Sequence, residues 1–433
     1  MLANILDFGA VADGKTLCTD ALQAAIDACA AAGGGTVTVP AGKYITGSLW
    51  LRDNIELHLS HASVLKGSDN LDDYNAEDAY EQNFSSRNNE KWLGKHLIIA
   101  HECENVAITG TGMLDGNGDF FLSDPAPYSA YVWNEGCRTA RDEELCRPGQ
   151  LIAFIECKRV RVENITITNQ PAWGCFLHGC EYVQIRGMRT FNPHSNFNSD
   201  GIDLDCCSYV TVSDCLIDTG DDCIAIRAAD TRLKNKPHPC EHITVTNCVL
   251  GSASCTFRIG VGQGKIRHVR VSNVTITRGA PAVCIMSSYN GHGHVDIEDV
   301  IFSNVSVTGC ARPFEIVEGT GATIKDVLLE SFNVACYGYF HLHASFPDTV
   351  SNVTLRNWKV TLTDGPKPLN SRDYERRGEV WFRAECINGL HLEGFEVRDP
   401  NGLLSTWKNG VFDFAECQDH SMSCVTVNGV KQN

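Results

Sequence analysis

The chain predicts an all-β protein, a parallel β-helix with a helix capping its N-terminal end, and three observations predict it. Short alternating strands recur along most of the length. They are Val160-Arg161-Val162, Val183-Gln184-Ile185, Val210-Thr211-Val212, Ile243-Thr244-Val245, Val269-Arg270-Val271 and Val295-Asp296-Ile297, with steps of 23, 27, 33, 26 and 26 residues. Asn, Gly or Asp punctuates each repeat into two or three strands, and no such coil buries its apolar face unless its neighbours stack on it. The third observation is what the pattern lacks. A propeller needs blades of roughly 40 residues or more and antiparallel hairpins with tight turns.

Ahead of the repeats, Thr19 is placed to cap a helix over residues 20–32. Leu22, Ile26 and Cys29/Ala30 share one face of it, and Gly33-Gly34-Gly35 stops it. Such a helix covers the open edge of the first coils, so cap and first coils together take up residues 1–50. Weaker copies of the strand pattern stand at Val106-Ala107-Ile108, Val353-Thr354-Leu355, Leu390-His391-Leu392 and Val425-Thr426-Val427. Two stretches interrupt the period. Residues 118–147 form a polar insertion holding Tyr128, Tyr131, Trp133, Glu143 and Glu144, and residues 229–240 make a second excursion. Both read as loops bordering a cleft on a single β-helix domain, 1–433.

Net charge is −17 with no basic run, which argues against nucleic acid or an anionic membrane as partner. Charge of that sign gives no overall attraction for a polyanionic polymer either, so an acidic sugar needs local cations. No apolar run is long enough to span a bilayer. The first residues show neither a basic region nor a long apolar stretch, and a cytoplasmic location is the expectation. The 21 cysteines fall largely at strand positions, as in Cys157, Cys180, Cys215 and Cys248, and read as free thiols stacked in a core. No Cys pair has zinc-ligand spacing, and His341 and His343, alternating on a strand face, lack a third ligand nearby; no metal or cofactor is expected. The sequons at Asn164, Asn273, Asn304 and Asn352 read as turn asparagines.

Chemistry concentrates at three aspartates. Asp200, in Asn198-Ser199-Asp200-Gly201-Ile202-Asp203, precedes Asp221 and Asp222 by 21 and 22 residues, about one coil. Stacked coils place Asp200 over that pair at roughly 4.8 Å. Carboxylates crowded in this way repel one another and spread their affinities for protons. Glycoside hydrolysis uses one protonated and one ionised carboxylate across the scissile bond.

The chain resembles glycoside hydrolase family 28, the polygalacturonase family, over nearly its whole length. The matching segments are Asp7-Phe8-Gly9-Ala10-Val11, Gly33-Gly34-Gly35-Thr36-Val37, Val39-Pro40-Ala41-Gly42, Gln170-Pro171-Ala172-Trp173 and the two aspartate motifs. The resemblance implies a right-handed parallel β-helix and an inverting glycosidase. It implies Asp221 as general acid and Asp200 and Asp222 as the carboxylates that activate water. Two family motifs are replaced. Ser254-Cys255-Thr256 stands where the family has Gly-His-Gly, and Cys284-Ile285-Met286 where it has Arg-Ile-Lys, the pair that grips a galacturonate carboxylate. Gly291-His292-Gly293 lies after that strand and reads as a turn.

Strand alternation turns Asp203, Ala225, Arg258 and Cys284 outward in one column if Ile202, Ile224, Phe257 and Val283 point inward. Arg258 then stands one coil before the family's arginine, free to hold a sugar or, alternatively, to pair with a nearby carboxylate. His194 and Asn198, just before Asp200, line a subsite or a turn. Trp173 is expected in the core, and Trp133, with Tyr128 and Tyr131, offers an aromatic face for a sugar.

The leading reading is an inverting glycosidase for pectin-derived or related plant oligosaccharides, exo-acting, poorly suited to plain homogalacturonan. A β-helix lyase or uronate epimerase is the second, and a non-catalytic carbohydrate-binding relative the third. An oligosaccharide is the expected partner, and a homo-oligomer is compatible with the sequence.

Overall fold

The computed structural model describes residues 1–76, 92–126, 136–141, 147–230, 233–235, 237–289, 293–365 and 380–432. It is a parallel β-helix whose residues fall into two compact units. The first comprises 1–126, 137–221 and 232–236, the second 127–136, 222–231 and 237–433.

In the first unit, α1 (Thr19–Ala31) packs Leu22, Ala25, Ile26 and Cys29 against the opening coils. Thr19 is not its cap, contrary to the sequence reading. Cys18 holds the N-cap position without a side-chain bond, while the Thr19 hydroxyl accepts the Gly47 N–H at 2.8 Å, a tie to a neighbouring coil. One face of this unit stacks β1 (Leu49–Trp50), β2 (Ile98–His101), β3 (Ile152–Ile155), β4 (Cys175–His178) and β5 (Ile202–Asp205), all parallel. The expected repeats stack too: Val160, Val183 and Val210 stand in one register column and Val162, Ile185 and Val212 in the next, every one buried.

The second unit continues the pattern with β6 (Ile224–Ala228), β7 (Phe257–Gly262), β8 (Val283–Met286), β9 (Phe314–Glu318), β10 (Phe340–Ala344), β11 (Phe382–Glu385) and β12 (Phe412–Ala415). Its other wall is built of long strands such as Lys265–Arg278 and Asp296–Cys310. Residues in the left-handed region bend these at matching places: Asn273, Asn304, Ser331 and Asn357 have φ of 55–60°. Asparagine tolerates that conformation, and the Asn304 amide donates to Asn273 at 2.7 Å, so the sequon asparagines 164, 273, 304 and 352 are left-handed turn residues. Phe332 stacks on Trp358 at 4.2 Å inside the unit, and the Trp358 indole N–H finds the Leu329 carbonyl at 2.9 Å. Such pairs add about 0.5–1.5 kcal/mol each beyond their area.

The described cysteines form no disulfide, and most are buried. No helix of the described residues is long and apolar enough to cross a membrane. Within the first unit, Lys234 Nζ pairs with Glu102 at 3.0 Å, and the Asn235 backbone N–H donates to Glu156 at 3.1 Å.

Candidate active site

In the first unit, the loop before β5 delivers Asp200. Its backbone carbonyl accepts from the Gln170 amide at 2.6 Å and from the Gly174 N–H at 2.8 Å, which makes Gln170-Pro171-Ala172-Trp173 a brace. Trp173 is in the core, beside Ala172 and Phe176. Asp221 arrives through Thr219-Gly220, where a side chain is barred: a Cβ on Gly220 would come within 2.2 Å of the Asn196 carbonyl. The carboxylate oxygens of Asp200 and Asp221 approach within 4.8 Å. Asp200 is buried and Asp221 half-buried. Asn198, with φ 56°, donates its backbone N–H to Asp221 at 3.2 Å and accepts at its side-chain oxygen from Arg147 Nη2 at 2.6 Å.

Arg147 is 1% exposed; its Nη1 also serves the carbonyls of Pro171 and Phe197. Arg138 ties the insertion to the same loop, donating its backbone N–H to Ser195 at 2.6 Å and Nη1 to Asn196 at 3.2 Å. Cys137 lies close to Asp221. Burial first, and then the Asp221 charge, push its thiol up to about 12, so it stands there protonated. Within the insertion, Arg138 and Arg147 thus both bond the loop before β5.

Asp222 opens the second unit, joined to Asp221 by a peptide bond. It receives Arg258 on both oxygens, Nε on Oδ2 and Nη2 on Oδ1 at 3.0 Å, and the Cys255 N–H on Oδ1 at 3.3 Å. The register places Arg258 level with Ala225 and Cys284. Its Nη1 lies 3.3 Å from the Met286 sulfur, and its guanidinium carbon 5.6 Å from the centre of the Tyr289 ring. Burial works against the Arg258 charge, but Asp222 together with Cys255 and Cys284 raises the guanidinium well above its usual value. The column runs on from Cys284 through Glu315, His341, Arg383 and Asp413. Glu315 lies 3.4 Å from both Arg312 Nε and His341 Nδ1.

Of the other residues named from sequence, His194 sits 2.6 Å from Asp218 through Nε2. Trp133, Tyr128, Tyr131, Glu143, Glu144 and His292 lie outside the described residues. His341 and His343 stack at 6.0 Å, each beside a glutamate. Donor atoms also gather within 4.8 Å at Glu241, His242 and His268, and at His101, Glu102 and Glu156. There Arg267 pairs with Glu241, and Lys234 with Glu102. Sequence reasoning missed Arg147, Cys137 and Tyr289. Arg147 closes the insertion at Pro148-Gly149, where strand patterning resumes, and that position was the one available signal.

The model of glycosyl hydrolases family 28 matches residues 29–321. An exo-poly-alpha-D-galacturonosidase from Dickeya chrysanthemi is 25% identical over 94% of this chain and 70% of its own length. A probable polygalacturonase from Vitis vinifera is 29% identical, over 52% of this chain and 44% of its own. Among solved structures, a hyperthermoactive exopolygalacturonase from Thermotoga maritima superposes with a TM-score of 0.66 at 23% identity, over 84% of this chain and 87% of that one. That likeness speaks for the fold.

Proposed function

The chain belongs to glycosyl hydrolases family 28, and from that premise we propose that it is an inverting, exo-acting glycosidase of pectin-derived or related plant oligosaccharides. Asp221 is the general acid, and Asp200 and Asp222 activate the attacking water. The observation that carries the reading is the Asp200–Asp221 pair, oxygens within 4.8 Å, with Asp222 next in the chain. Their surroundings differ as their roles require: Asp221 is half-buried, open enough to meet a leaving oxygen, while Asp200 and Asp222 are buried. Sugar contact is assigned to His194, Asn198 and Trp133, since the three nitrogens of Arg258 meet Asp222 and Met286. Arg138 and Arg147, from the interruption at 118–147, bond the loop of Asn198, and that interruption of the repeat supports exo action.

Plain homogalacturonan is a poor substrate in this reading. Cys284 and Met286 carry no charge where the family has two cations, and each lost bond to a carboxylate costs roughly 1.5–3 kcal/mol, together about a hundredfold or more in kcat/KM. A cytoplasmic setting, supplied with imported oligomers, suits such a preference. The test is a screen of pectic and other plant oligosaccharides, read by product mass. Release of single sugars from non-homogalacturonan oligomers is expected. Robust galacturonate release from polygalacturonate would overturn the substrate reading, and absence of any cleavage would overturn the catalytic one.

A further inference from the structure

Arg258 has all three of its guanidinium nitrogens on protein partners. Two of its nitrogens close on the two oxygens of Asp222, the third meets the Met286 sulfur, and the guanidinium carbon lies over the Tyr289 ring, 5.6 Å from its centre. The Cys255 N–H adds a third donor to Asp222. Both side chains are withdrawn from solvent, 12% exposed for Arg258 and 3% for Asp222. Two parallel N–H···O bonds fix a carboxylate in rotation as well as in place, which a point charge cannot do. Removing one partner of such a pair leaves the other charge buried without compensation.

We infer that Arg258 is a positioning residue for Asp222, orienting the carboxylate that activates water while Tyr289 and Met286 hold the guanidinium in turn. The inference rests on the reading of Asp222 as a water-activating carboxylate. Arg258 then serves the reaction whatever the sugar carries at its C6 position, and its loss lowers turnover without weakening substrate binding. Cys255, which stands at the family's histidine position, gives its backbone N–H to Asp222, and a cation reaches this carboxylate from Arg258 on β7.

The experiment compares the full-length wild type with Arg258→Ala, Arg258→Lys and Asp222→Asn on one uronate-containing and one neutral oligosaccharide that the wild type cleaves. Thermal unfolding is recorded for each. For Arg258→Ala we expect kcat to fall about a hundredfold or more on both substrates, with KM within about threefold. Arg258→Lys recovers little, because the planar fork is gone. Millimolar guanidinium chloride restores part of the Arg258→Ala rate and none of the Asp222→Asn rate. A rise in KM at unchanged kcat, or a loss confined to the uronate substrate, makes Arg258 a direct sugar ligand and overturns the inference. Should Arg258→Ala fail to fold, folded Arg258→Lys with wild-type kcat overturns it equally. Asp222→Asn at wild-type turnover refutes the catalytic reading and this inference with it. An inactive Asp222→Asn beside a fully active Arg258→Ala refutes this inference alone.

Discussion

Asn198 has a left-handed backbone, a side-chain oxygen held by Arg147 and a backbone N–H aimed at Asp221. Arg147 in turn bonds the carbonyls of Pro171 and Phe197. Arg147→Met keeps much of the volume but strands these acceptors, and we expect a loss of about 3 kcal/mol or more in urea unfolding, since bonds to a charged donor contribute roughly 1.5–3 kcal/mol each. A loss under about 1 kcal/mol would show that the loop holds Asn198 by other means. Asn198→Ala puts a poorly suited residue at positive φ and removes the Arg147 acceptor. It is expected to lower kcat more than tenfold with a stability loss of about 1–2 kcal/mol; wild-type kcat would contradict the brace. At this scale the aspartates were legible, because two motifs one coil apart are a strong pattern. The column of Arg258 was legible as well, since alternation fixes which face a strand residue occupies. Its partner was not settled, since alternation says nothing of where a long side chain lies once on that face.

Where elements meet, the ties between coils are often single polar groups. His96, just before β2, is fully buried; its Nδ1 donates to the Gln150 carbonyl at 3.0 Å, and its own carbonyl accepts from Ser48 at 2.6 Å. Burial lowers its pKa from the ordinary 6.5 to about 4, the bond to Gln150 opposing the shift only in part. Below pH 6.5 the unfolded chain takes up a proton at His96 that the folded chain refuses. Stability therefore falls by about 1.4 kcal/mol per pH unit until pH 4, about 3 kcal/mol in all. His96→Gln is expected to flatten the pH dependence of urea unfolding across that window, and parallel curves for variant and wild type would contradict it. Strand positions and turn asparagines were legible in the repeats, because period-two patterning and left-handed asparagine are local properties. The helix cap was misread because Thr19 binds Gly47, 28 residues on, which no local signal reports. Arg147 was hidden for the same reason, with partners 24 to 51 residues away.

The charge of −17 acts on substrate approach as a whole. An anionic oligosaccharide is repelled at a distance, and the repulsion is screened once the Debye length falls to about 8–10 Å. Raising ionic strength from about 0.02 to 0.15 M should therefore increase kcat/KM several-fold for a uronate oligomer and leave a neutral one unchanged. An equal response from both would show that long-range charge plays no part. The overall class was the most legible property of all, since the fold and the family are both encoded in patterns spread along the chain, whereas the preferred sugar, in the function proposed above, turns on single positions such as 284 and 286. Proton NMR of the first product formed by the wild type, with Asp221→Asn alongside, reports whether these aspartates run an inverting hydrolysis. A saturated sugar of inverted anomeric configuration is expected, with a rate about 10²–10⁴-fold lower for the variant. A retained configuration, an unsaturated product, or an Asp221→Asn enzyme with more than half the wild-type rate would contradict it.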